Sequence, residues 1–170
     1  MIPVRQFKSL WDYVADNIKD LRGDKLITGV YLVDDESHMN AIVKNKIRNK
    51  QVFLVARTPS SDEIMINQDN FAEMDQVLIY VLKKVAAADM NEDDLMDERE
   101  ETQIIMTRVK QFLKDLMDDT DNCNEYSMML KGFFRSKKHT DRERNFLECN
   151  GWSISFGLQT NSYDNTTFIQ

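Results

Sequence analysis

From Trp152 to Leu158 the side chains alternate without a break. Trp152, Ile154, Phe156 and Leu158 fall on one face, and Ser153, Ser155 and Gly157 fall on the other. A period of two over seven residues marks a half-buried antiparallel strand. A sheet is therefore required, and the small, neutral second face suits a surface covered by another body. Residues 123–134 belong to the same predicted C-terminal hairpin, and the basic stretch 135–144 reads as its connection.

Upstream, Phe7, Leu10, Trp11, Val14, Ile18 and Leu21 recur at helical spacing, and Gly23 sits where a helix-ending residue belongs. Lys25–Val33 reads as a strand apolar on both faces, hence central. Asp34–Ser37 forms a turn in which Ser37 is placed to cap a short helix burying Met39, Ile42, Val43 and Ile47. Gln51–Arg57 is a second buried strand, closed by the turn residues Thr58–Asp62. Strand, short crossover and strand make a candidate parallel pair, with the crossover a helix or a loop.

Phe71, Met74, Val77, Leu78, Val81, Leu82 and Val85 fit a long helix that Ala86–Ala88 extend. The acidic run Asp89–Glu101 then reads as a linker. Ile105, Val109, Phe112, Leu113 and Leu116 define a further helix, which the turn cluster Asp118–Asn122 ends. The expected fold is α+β, a mixed or antiparallel sheet packed against two to three long helices. Residues 1–160 form one domain and 161–170 a polar tail. A chain of 170 residues is long enough to bury a core of that kind.

The net charge of −7 argues against general affinity for duplex nucleic acid, which needs clustered Lys and Arg. Charge is also segregated. Residues 89–125 carry thirteen acidic and four basic side chains, whereas 131–148 carry six basic and three acidic. Opposite signs on one chain permit head-to-tail contact between copies. Both stretches also have an ordinary reading as solvated faces.

No pattern announces a chemistry. His38 and His139 are far apart, and neither has a second ligand at helical spacing. Asp115–Glu125 resembles a calcium loop in composition only, without the ordered ligands and the turn glycine. The five glycines are dispersed, so no phosphate cradle is formed. Neither cysteine lies near a histidine, and Cys123 with Cys149 reads most simply as two reduced thiols. Met1–Leu10 has no apolar signal core, and the longest apolar run, about Val77–Val81, is too short for a bilayer. No catalytic, metal or cofactor residue is therefore expected, and no membrane partner.

His139-Thr140-Asp141, the segment Cys149–Phe156 and the central Val52–Ser60 are similar to proteins encoded in phages and prophages of Bacteroidetes, the crAss-like phages among them. The group resembled is that of tail-terminator and neck, or head–tail connector, components. The resemblance implies a tail-terminator-like fold and a non-enzymatic virion subunit, assembled in the host bacterial cytoplasm. Such a subunit forms a homo-oligomeric ring against portal, connector or tail-tube proteins, with genomic DNA passing through the lumen. The expected interface pairs Arg135, Lys137, Lys138, Arg142 and Arg144 with Asp93, Asp94, Asp97 and Glu98 of a neighbour, and adds Trp152 and Phe156. An alternative from another class is a monomeric acidic binding module, of inhibitor or immunity type, whose 89–125 surface masks a basic partner.

Overall fold

The computed structural model describes residues 3–67, 70–85, 91–118, 126, 130 and 139–161, without the side chains of 61–67, 70–73, 144, 145 and 158–161. The elements run α1 (Val4–Asn17), β1 (Val30–Val33), α2 (Glu36–Lys46), β2 (Val52–Arg57), β3 (Ser60–Asn67), β4 (Asn70–Lys84), α3 (Glu92–Asp118), β5 (His139–Phe146) and β6 (Cys149–Asn161). The fold is α+β: one mixed sheet with three helices, of which α3 is long.

Across the sheet the strands lie β1-β2-β4-β6-β5, and β3 joins β4 beyond the end of β2. β1 and β2 are parallel with Tyr31 opposite Val55, and the other pairs are antiparallel. The strand–helix–strand unit expected over 25–57 is present, with α2 as its crossover, but its first strand begins at Val30 and not at Lys25, and it lies at the edge of the sheet and not at its centre. Asp35, rather than Ser37, caps α2, its carboxylate accepting the His38 N–H at 2.7 Å. Lys84 Nζ on β4 donates to the Val43 and Ile47 carbonyls, satisfying the far end of the same helix.

Several expectations need correction. Residues 70–84 form β4, not a helix. Val77, Ile79 and Val81 point to one side and Leu78, Tyr80 and Leu82 to the other, so a strand apolar on both faces imitates helical spacing. The acidic run is not a linker, because Glu92–Glu101 is the first part of α3, buried through Glu98 and Thr102 and then through Ile105, Val109 and Leu113. Residues 139–144 are not a loop but most of β5, and the hairpin turns at Leu147 and Glu148, both at positive φ. Tyr126 and Leu130, expected in a strand, are helical.

α1 stops at Asn17, short of Leu21, which is fully exposed. The Asp20 carboxylate accepts the N–H groups of Arg22 and Asp24 at 2.8 Å and folds 20–24 into a turn that competes with the helix.

The sheet has two differently covered faces. On one, α1 and α3 bury Phe7, Trp11, Leu54, Ile79, Val109 and Ile154 in a single cluster. Each such side chain contributes about 1.5–3 kcal/mol when fully covered. Phe7 and Trp11 meet edge to face at 5.7 Å, one helical turn apart. On the other face α2 closes a smaller cluster around Met39, Val43, Phe53, Val55, Leu82 and Cys149.

Candidate assembly surfaces

Two charged surfaces arise from this architecture. The first lies on α3. Asn91 and Asp94 cap it reciprocally: the Asp94 N–H donates to Asn91 Oδ1 at 2.8 Å, and the Asn91 N–H to Asp94 Oδ2 at 3.3 Å. One side of its first turns is turned inward, and the other leaves Asp93, Asp94, Asp97 and Glu100 exposed. Carboxylates suit this position because the helix N-terminus carries partial positive charge.

The inward side holds an ion-pair cluster. Lys83 Nζ of β4 donates to Glu101 Oε2 at 2.6 Å and lies 3.7 Å from Glu98 Oε1. Burial pushes the Glu98 carboxyl above its ordinary range, Lys83 opposes the shift, and Glu101 adds to it. The pair therefore ties α3 to β4 and leaves Glu98 unavailable to a neighbour.

The second surface lies where β1 ends the sheet. Among the described residues no strand pairs the outer edge of β1. A groove of about 600 Å³ runs there between α1 and α2, floored by Val30 and Leu32. Arg5 and Lys8 of α1 line one side, with His38 and Lys46 of α2 on the other. Lys8 is paired with Asp12, and His38 Nδ1 lies 3.7 Å from Asp34 Oδ2. The lining contains cations and apolar residues and no carboxylate, in a chain of net charge −7.

Of the expected interface residues, Arg135, Lys137 and Lys138 lie outside the described residues, as does the side chain of Arg144. Arg142 pairs across to Trp152 and is half-buried. Asp93, Asp94 and Asp97 are on the exposed side of α3. Phe156 belongs to the core and not the surface, being 4% exposed, and Trp152 is half-buried, packed against the same cluster. The Trp152 indole N–H donates to the Arg99 carbonyl at 3.4 Å. α3 packs on the apolar face of β6, which takes Phe156 out of reach of a neighbour and covers part of Trp152.

The groove was missed in the sequence, although its signal is present. His38, Ile42 and Lys46 are spaced by four on α2, and Arg5 and Lys8 by three on α1, so each set shares a helix face. What the sequence lacks is any sign that these two faces flank the same open strand.

Cys149 is buried, with its thiol donating to the Leu147 carbonyl at 3.5 Å, and Cys123 lies outside the described residues. Among the described residues, no group of three His, Cys, Asp or Glu side chains is placed to hold a metal ion. No helix among them is long and apolar enough to cross a membrane. No protein-family model matches the chain, and no curated protein matches it.

Proposed function

We propose that this chain is a non-enzymatic structural subunit that assembles with copies of itself into a ring, at the neck or tail end of a phage particle. The observation that carries the reading is charge segregation: exposed carboxylates on the first half of α3, and a cation-lined groove at the open edge of β1. Unlike surfaces on one chain favour heterologous contacts, which close into rings when the rotation between subunits allows. Where the α3 face borders a lumen, its carboxylates repel phosphates and let DNA slide through without adhering. The placement in a phage rests on the resemblance of segments 52–60, 139–141 and 149–156.

Light scattering on the eluting protein tests the reading. Expected masses are multiples of the 20.0 kDa subunit, alone or on isolated portal or tail-tube particles. A monomer under every condition, with no retention on such particles, removes it.

A second reading is favoured by one observation. Asp93, Asp94, Asp97 and Glu100 remain exposed while Lys83 is taken up by Glu98 and Glu101. That face also suits a monomeric module that masks a basic partner, and stoichiometric 1:1 binding to a basic protein by the persistent monomer would select it.

A further inference from the structure

We propose that the contact between successive copies is a continued sheet, in which β5 of one copy lies antiparallel along the open edge of β1 of the next. This deepens the ring reading and rests on it. Four observations lead there.

The first is that, among the described residues, β1 and β5 are the two ends of the sheet. The second concerns hydrogen-bonding capacity. Leu54 N–H donates to the Gly29 carbonyl at 2.9 Å and Thr58 N–H to the Val33 carbonyl at 2.8 Å, so the odd-numbered residues of β1 serve β2. By the alternation of a strand, the N–H and C=O groups of Val30 and Leu32 face the groove.

The third is direction. β1 and β2 run together, and each of the next three steps across the sheet reverses the chain. β5 therefore opposes β1, and a copy placed alongside in the same orientation offers its β5 antiparallel to β1 with the same faces aligned.

The fourth is charge. One row crosses the whole sheet through Tyr31, Val55, Tyr80, Ser153 and Asp141. Asp141 thus stands on the face that α2 covers at the other end, as does Glu143 two residues on. In the continued sheet these carboxylates come to the side of the groove that carries Lys46 and His38. Asp141 brings its own His139 partner at 2.9 Å, while Arg142 falls on the opposite face, toward Arg5 and Lys8. Joining two β1 edges instead would set two cation-lined grooves against each other, which like-charge repulsion disfavours. Charged side chains on an edge strand also reject uncharged strands, so the arrangement selects its partner.

Charge reversal tests this. Lys46→Glu and Asp141→Lys, both at exposed positions, each should weaken assembly roughly tenfold. The double variant should restore it, because the two signs are exchanged together. Hydrogen exchange gives an independent readout: the Val30 and Leu32 amides should be protected in the assembled protein and exchange freely on dilution to monomer. Wild-type assembly with both single variants unaffected, or with those amides unprotected, overturns the edge contact and leaves the ring standing. A wild-type chain that never assembles overturns both.

Discussion

A methyl group added at Gly151 would lie 2.0 Å from the Val81 carbonyl oxygen and 2.9 Å from the Leu82 Cα. Both are backbone atoms of β4, so no rotamer change relieves the clash, and β4 and β6 would have to separate. Gly151→Ala is expected to lower stability by about 3 kcal/mol, read as a shifted urea midpoint. Cys149 illustrates burial acting on chemistry. Desolvation pushes its thiol up to about 12, Lys84 opposing and Glu148 adding to the rise. In a Cys123→Ser variant, a thiol reagent at pH 8 should label Cys149 only on unfolding, since the thiolate is the reactive form. The folded chain holds this proton more tightly than an unfolded one. The group's contribution to stability is therefore full below 9.0 and declines as pH rises from there toward about 12. Rapid labelling of the native protein at pH 8 would contradict the buried placement.

The hairpin joining β5 to β6 is closed by Leu147 at φ 53° and Glu148 at φ 63°, a two-residue turn without glycine. Left-handed backbone is costly for residues with a Cβ. Leu147 packs against the α2-side cluster, whereas Glu148 is exposed. Glu148→Gly should therefore raise stability by about 0.5 kcal/mol, measured by thermal or urea unfolding; a loss would mean that the strain is absent. This turn was not legible in the sequence, because Leu-Glu carries no turn signal and β5 itself has no apolar face to mark it as a strand. β1–α2–β2 was legible, since a cap, a short amphipathic stretch and an apolar run each point the same way. β4 was not, because apolar residues on both faces satisfy periods of two and 3.6 alike; the β-branched Val77, Ile79 and Val81 were the better guide. The acidic half of α3 was obscured by its charge, although Asn91 and Asp94 already formed a helix-start signature. Of the candidate surfaces, Asp93, Asp94 and Asp97 were named from the sequence, with the buried Glu98 in place of the exposed Glu100. The groove was not, because its two halves lie on α1 and α2 and meet only across β1.

At the scale of the molecule, association between charged edges is screened by salt. The Debye length shrinks from about 10 Å at 0.1 M to about 3 Å at 1 M. The assembled fraction is expected to fall as salt rises across that range, followed by light scattering. Assembly that strengthens with salt would instead indicate apolar contact, or relief of repulsion between copies of net charge −7. The ladder between β4 and β6 has a different bearing on the proposed ring. It pairs thirteen successive positions, Ala72–Lys84 against Cys149–Asn161, a ribbon roughly 40 Å long. Tension applied along those strands from opposite ends loads every rung together in shear, instead of peeling them one at a time. Such a ribbon is stiff along its strands, yielding only when the whole set of rungs gives way at once.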